Sequence, residues 1–376
     1  MKHHLTRAAA LLALTAVLLT GSASALFGKK AEETPPEGAP QVWDLEIRTY
    51  QGIPGQGQFL ASDPEGDEMT FALADEPRKG TVVIEGDSFT YTPDEGITGS
   101  DRFTYTATDS QGNASAPAKV TVAIDKTRSG VTYADLEGCP AARAAQTLAE
   151  KGIFTGGKIG DFYYFQPDQP VSRSEFLAMA LETAGREVTG VTMTGFCDDM
   201  SIPTWAKAYA AAGAADGVIR GSSTAEGVAF RGDETVTFNE AATILDRVLD
   251  LGDVDLDVWY ADRGAAPSWA AQAVGNMEAV SVLSAGSFGS QSMEQAVTRA
   301  DAAQMLEAAG ILLEGGQEAK GFFSWLGQEA RYFDQEDSVH RTIRCFLCVE
   351  QGERGVVLPM YDSGSYIGNL CVLGVP

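Results

Sequence analysis

Ser172-Arg173-Ser174-Glu175-Phe176-Leu177-Ala178-Met179-Ala180-Leu181 decides how the second half of the chain reads. A serine, a glutamate three residues later and then an apolar run form a capping box. The hydroxyl takes up one of the N–H groups that a helix start leaves free, and the carboxylate returns to the residue that opens the helix. The arrangement comes back at Thr237-Phe238-Asn239-Glu240 and at Thr298-Arg299-Ala300-Asp301. Upstream of each box stands an aromatic-x-Asp triplet: Tyr133-Ala134-Asp135, Phe196-Cys197-Asp198 and Tyr260-Ala261-Asp262, with the aspartates 63 and 64 residues apart. Trp205-Ala206 and Trp269-Ala270 follow the second and third of these by seven residues. Lys151-Gly152-Ile153 and Asp216-Gly217-Val218 come next, then Phe165-Gln166-Pro167 and Phe230-Arg231-Gly232. A period of this kind indicates an array of like units, each too small to bury its apolar face alone. The spacing predicts three mainly α-helical units, over 133–190, 196–251 and 259–313.

In order and spacing this set resembles the S-layer homology repeat, in which three copies form one complete unit. The resemblance implies binding of an anionic, commonly pyruvylated, cell-wall polysaccharide in grooves between repeats. It carries an anion contact onto Arg173 and Arg299, and a place at the polysaccharide onto Trp205, Trp269, Asp135, Asp198 and Asp262. Read without the family, Ser172/Glu175, Thr237/Glu240 and Thr298/Asp301 are explained by helix initiation alone. A cation in the first turn opposes the helix dipole by about 0.3–1 kcal/mol, so Arg173 and Arg299 call for a reason. An arginine fork beside a helix start can grip a carboxylate or phosphate; the alternative is a packed or solvated side chain. Trp205 and Trp269 could stack on sugar rings or pack into the core. Three departures reduce the grooves that carry the full set to two at most. Phe238 stands where the second arginine should be, Pro140 lies near the first expected tryptophan, and the third unit has Ser281 for the glycine and no Phe-x-Pro. Binding through two arginines in an acidic chain should be local and salt-sensitive, since charges beyond about 8 Å are largely screened at about 0.15 M salt.

The first half has a different period. Phe89 and Tyr91 alternate with polar neighbours, as do Phe103, Tyr105 and Ala107, and Val120, Val122 and Ile124. Turn clusters separate them at 63–67, 93–96 and 109–113. This pattern predicts an all-β immunoglobulin-like sandwich over 42–126. Ala61-Ser62-Asp63-Pro64-Glu65-Gly66-Asp67, Phe89-Thr90-Tyr91-Thr92-Pro93 and Gly99-Ser100-Asp101-Arg102-Phe103-Thr104-Tyr105 resemble the cadherin-like or bacterial immunoglobulin-like domains of exported proteins. That resemblance implies a spacer or adhesive module. Asp63, Glu65, Asp67 and Asp109 could supply oxygen ligands to calcium. They could equally be turn residues whose carboxylates accept from nearby backbone N–H groups.

At the N-terminus Lys2 and Arg7 precede the apolar run Ala8–Leu19, followed by Ala23-Ser24-Ala25. This order predicts a secretory signal over 1–25. The run is shorter than the about 20 residues of a spanning helix, so no integral membrane segment is expected after cleavage. Residues 26–41, rich in charge and proline, read as a tether.

The formal charge of the 376-residue chain is −25, which argues against nucleic acid and anionic membranes as partners. Five cysteines (139, 197, 345, 348 and 371) are too few for a disulfide framework. The C-terminal region, 314–376, matches no repeat; Val356-Val357-Leu358 and Asn369–Leu373 read as strands. Its Cys345-Phe346-Leu347-Cys348, with His340 and Cys371, could hold zinc, or be buried thiols or one disulfide. No G-x-S-x-G, H-E-x-x-H or phosphate-binding loop occurs. The expectation is a non-enzymatic exported protein of the cell wall or surface layer. Its partners would be the wall polysaccharide and, in the alternative, other surface proteins, with no cofactor beyond a possible calcium ion.

Overall fold

The computed structural model describes residue 36, residues 38–315 and the backbone of short strands at Arg341–Ile343, Gly355–Leu358, Met360–Asp362, Ser365–Tyr366 and Cys371–Gly374. The expected signal segment, most of the tether, and His340, Cys345 and Cys348 of the candidate zinc set lie outside the described residues.

The β-region comprises β1 (Gln41–Val42), β2 (Leu45–Tyr50), β3 (Gly55–Gln58), β4 (Ala61–Ser62), β5 (Thr70–Asp75), β6 (Gly80–Glu85), β7 (Ser88–Pro93), β8 (Gly99–Thr108) and β9 (Ala118–Asp125). Strands β2-β9-β8-β5 form one sheet, β3-β7-β6 a second, and β1 pairs with β4. All pairings are antiparallel except β2 on β9. Because the side-chain period is two, β8 and β9 send Phe103, Tyr105, Val120, Val122 and Ile124 inward, against Phe59, Phe89 and Tyr91. Gly57, opposite Phe89 on the paired strand β7, leaves room for that ring: a Cβ there would stand 2.3 Å from its tip. The buried Asp101 carboxylate accepts from the Tyr91 hydroxyl (2.9 Å) and from the backbone N–H groups of Arg78 and Lys79. Strand β1 begins inside the segment read as tether, so ordered packing starts earlier than the composition suggests.

Among the described residues six longer helices follow, α1 (Ala142–Glu150), α2 (Arg173–Thr183), α3 (Thr204–Ala215), α4 (Phe238–Leu249), α5 (Ala271–Ala279) and α6 (Arg299–Gly315), with a single helical turn at Leu256–Trp259 ahead of α5. A hairpin, β10 (Gly157–Ile159) with β11 (Phe162–Tyr164), joins α1 to α2; β12 (Ser222–Thr224) with β13 (Gly227–Ala229) joins α3 to α4. Between α5 and α6 the chain makes a short 3-10 turn, Gln291–Glu294, instead.

Contacts run from each pair to the next: α2 packs on α3, α4 on α5, and α6 returns to α1. The closure has a centre. Val171 N–H donates to Val297 O (2.9 Å), Val297 N–H to Val236 O (2.9 Å) and Val236 N–H to Val171 O (3.0 Å). These buried valines sit just ahead of the three capping boxes, so three extended segments hydrogen-bond in a closed triangle. A second layer satisfies helix-start donors from the neighbouring unit: Arg173 N–H to Glu234 O, Phe238 N–H to Gln295 O and Arg299 N–H to Gln169 O. One continuous apolar core runs from Leu136 to Leu312.

The sandwich docks on this unit. Ile53 packs against its core, and Glu150 of α1 accepts from the backbone N–H groups of Arg128 and Ser129 in the connecting segment.

Candidate ligand contacts of the helical unit and the sandwich

The three capping boxes form. Ser172 and Glu175, Thr237 and Glu240, and Thr298 and Asp301 exchange hydroxyl, backbone and carboxylate bonds at the starts of α2, α4 and α6. The arginines beside them reach across to the next unit. Arg173 Nη1 bonds Glu240 Oε1, the carboxylate that also closes the α4 box. Arg299 Nη1 donates to Phe165 O (3.1 Å) and Gln166 Oε1 (2.9 Å), its Nη2 lies 4.0 Å from Glu175 Oε1, and its guanidinium covers the Phe154 ring at 5.1 Å. Their side chains are only 16% and 12% exposed. Each guanidinium thus meets a carboxylate of the protein itself, and a ligand anion would have to compete with Glu240 or Glu175. Phe238 leaves the corresponding place in the second unit without a cation.

The aromatic-x-Asp aspartates do a shared job. Asp135 accepts from the N–H groups of Phe165 (2.9 Å) and Gln166 (2.7 Å), and Asp198 from those of Phe230 (2.8 Å) and Arg231 (2.7 Å). Gln166 and Arg231 hold φ of 58° and 59°, a left-handed conformation that costs a non-glycine residue energy and that these paired bonds stabilise. Tyr133 packs edge-on to Phe165, and Phe196 stacks on Phe230, both at 5.5 Å.

The third unit solves the same problem with other residues. The exposed Asp262 carboxylate accepts from the N–H of Gly264, two residues ahead, and does not reach the distant turn. The aromatic partner of Tyr260 is Phe288, stacked at 3.8 Å, and its turn is held by buried Glu278, which accepts from the N–H groups of Gly286 and Phe288 at 2.8 Å each. Glu278 and Phe288 escape the sequence pattern because the turn lacks a proline and its anchor has moved onto α5. The shorter distance from Tyr260 to Phe288, against Tyr133 to Phe165, was the available signal. Ser281 keeps the left-handed φ (58°) that Gly152 and Gly217 adopt in the other units.

Trp205 and Trp269 are 52% and 57% exposed. The core alternative is therefore wrong: both indoles face solvent at helix starts, Trp205 with Tyr209 at 6.5 Å. Met200 and Met193 are exposed in the segment before Trp205. Nearby, the Asp199 carboxyl is held down to about 2, first by the Lys207 ammonium at 2.6 Å and then by Thr194.

On the sandwich, Asp63 Oδ1 accepts from the N–H groups of Glu65 and Asp67, and Asp109 Oδ1 from those of Gln111 and Asn113. The Gln111 amide bridges Glu65 (2.9 Å) and Asp67 (3.1 Å). Burial raises the Asp109 carboxyl, but the Asn113 side chain and the loop N–H groups outweigh it and leave it below the usual range. Asp63 Oδ2 is buried without a hydrogen-bond partner among the described residues. Among the described residues no group of three or more His, Cys, Asp or Glu side chains is arranged to hold a metal ion. Asp63 and Asp109 each give one oxygen to their own turns, and the four carboxylates of the calcium expectation are not gathered into one ligand set among the described residues. Cys139 and Cys197 are free thiols. Among the described residues no helix is long and apolar enough to cross a membrane.

Residues 36–126 match the family model of the bacterial cadherin-like domain. No curated protein matches the chain. Among solved structures, an endo-fucoidan hydrolase of glycoside hydrolase family 107 is similar at 16% identity over 29% of this chain and 17% of that one, with a TM-score of 0.21. A chimeric titin Z1Z2 is similar at 14% identity over 24% and 97% (TM-score 0.15). The Ig-like domain of human leucine-rich repeat-containing protein 4 is similar at 13% identity over 27% and 97% (TM-score 0.15). The chain spans less than a fifth of the hydrolase's length, and likenesses of this size carry no argument about activity. Residues 36–126 are a bacterial cadherin-like domain, followed by a helical region.

Proposed function

We propose that the protein is an exported, non-enzymatic surface protein whose helical unit holds an anionic cell-wall polysaccharide, with the cadherin-like domain as spacer or adhesive module. The observation that carries this reading is the closed triangle of Val171, Val236 and Val297, placed ahead of three capping boxes in a sequence that resembles three S-layer homology repeats. Such a ring creates like-shaped joints at which one extended glycan could lie. The exposed indoles of Trp205 and Trp269 offer flat apolar faces for sugar rings, and a ligand anion that displaced Glu240 or Glu175 would meet the guanidinium of Arg173 or Arg299.

A second reading has its own support. Both guanidiniums already meet the protein's carboxylates, and Phe238 removes the third. In that reading wall binding is vestigial and the surface acts on other proteins.

Co-sedimentation of the protein with cell-wall sacculi, before and after removal of the attached polysaccharide, separates the two. Pelleting that needs the polysaccharide and falls several-fold in Trp205→Ala and Trp269→Ala supports anchoring. A protein that stays in the supernatant at low salt sinks it.

A further inference from the structure

The three joints between helix pairs are alike in shape but not in chemistry. Leu181, Asp246 and Glu307 stand at one place, each six residues beyond the capping-box carboxylate. The first joint has buried Leu181 there. At the α6–α1 joint buried Glu307 accepts from the Thr147 hydroxyl (2.7 Å) and meets Arg143 through both oxygens, at 2.8 and 2.7 Å, so its charge is compensated. At the α4–α5 joint no ion pair among the described residues does this for Asp246. Its Oδ1 takes one proton of the buried Asn276 amide at 2.7 Å, while the same amide nitrogen reaches Asp253 Oδ1 at 3.1 Å. Asn276 is itself fixed, since its carbonyl oxygen accepts from Val254 N–H and from Gln272 Nε2, both at 3.0 Å.

We propose that Asp246 and Asp253, bridged by the Asn276 amide, form a proton-operated clasp that tightens the α4–α5 joint when the surroundings become acidic. Two carboxylates on one amide, Asp246 half-buried and Asp253 exposed, repel each other; one proton removes the repulsion and adds an O–H donor. The other charges that face Asp246 do not cancel it. Arg247, its neighbour on α4, turns to Val218 O (3.0 Å) and faces Arg220, and Asp250 at the end of α4 adds a further negative charge. From α5 come only the neutral amides of Asn276 and Gln272. Burial, with Asp253 and Asp250, raises the Asp246 carboxyl above its ordinary value despite Asn276 and Arg247. The folded protein therefore takes up this proton before the unfolded chain does. Stability is gained as pH falls through the folded value and is lost again as pH rises through it.

Denaturant unfolding of the full protein, followed by helical circular dichroism at pH values from about 7.5 down to about 4, tests the clasp. Asp246→Asn imitates the protonated acid. It should lower the unfolding equilibrium constant several-fold at the highest pH and converge on the wild type at the lowest. Asp253→Asn should flatten the pH dependence in the same way. Asp233→Asn removes the same charge from an exposed site and serves as the reference. If Asp246→Asn tracks Asp233→Asn at every pH, the clasp does not exist.

Discussion

The sandwich and the helical unit both spend carboxylates on backbone donors, but over different distances. Asp63 and Asp109 bind N–H groups two and four residues ahead, within one turn. Asp135 and Asp198 bind turns 30 to 33 residues away, and Glu240 serves a helix start in its own unit and an arginine in the unit before. Local anchoring shapes a loop whatever the rest of the chain does. Remote anchoring works only when whole units have assembled, so damage to it should be felt across the unit. The sandwich also draws on a few remote ties, Asp101 among them, yet most of its cohesion is aromatic and aliphatic packing.

The widest separation between the two modes should appear at Arg173. Arg173→Ala leaves Glu240 part-buried beside the α4 start with its cation gone, and breaking a buried pair costs about 3 kcal/mol. Urea unfolding should show this loss in the helical signal, with the fluorescence and exchange protection of the sandwich core unaffected. A loss below about 0.5 kcal/mol would mean the pair behaves as a surface bridge and that ring closure rests on the valine triangle alone.

A sharper contrast lies inside the helical unit, between aspartates that the sequence aligns and the structure separates. Asp198→Asn weakens two charge-assisted bonds that hold a left-handed turn and should cost about 2 kcal/mol. Asp262→Asn touches one exposed bond and should stay within about 0.5 kcal/mol. Thermal denaturation of both variants decides it; equal losses would show that the third unit still relies on Asp262 and that Glu278 is not the substitute.

These contrasts mark what could be read from residues alone. Alternation at Val120, Val122 and Ile124 located the inner face of β9, and the Ser/Thr-to-Glu/Asp spacing located three helix starts, because both signals are local. The partner of Arg173 was not legible: Glu240 lies 67 residues away and comes near only through ring closure. Arg173 and Arg299 carry the guanidinium forks that the sequence points to, and the carboxylates that face them, Glu240 and Glu175, escape a local reading because both belong to other units. Phe288 and Glu278 were hidden for a related reason, since a motif defined by Phe-x-Pro is blind to a turn rebuilt with other residues. The exposure of Trp205 and Trp269 follows from their place ahead of the buried Ala206 and Ala270, which one helical turn of sequence does not disclose.

The smallest effect concerns acid. Asp199 sits between Lys207 and Thr194, and these hold its carboxyl at about 2, below the ordinary value of 3.8. The sign is opposite to that at Asp246: a lowered carboxyl adds stability at pH values above its unfolded value, and that stability disappears as pH falls toward the folded one. Lys207→Met removes the largest of the causes, so the Asp199 carboxyl should move up toward the ordinary range, read by carbon-detected NMR of its side chain. The acid limb of the unfolding curve should move up in pH with it, while the sandwich turn at Asp109, held by its own Asn113 and loop N–H groups, should titrate as before. An unchanged Asp199 titration would place the shift on Thr194 instead, and would make this site one more case of local anchoring inside a unit otherwise joined at long range.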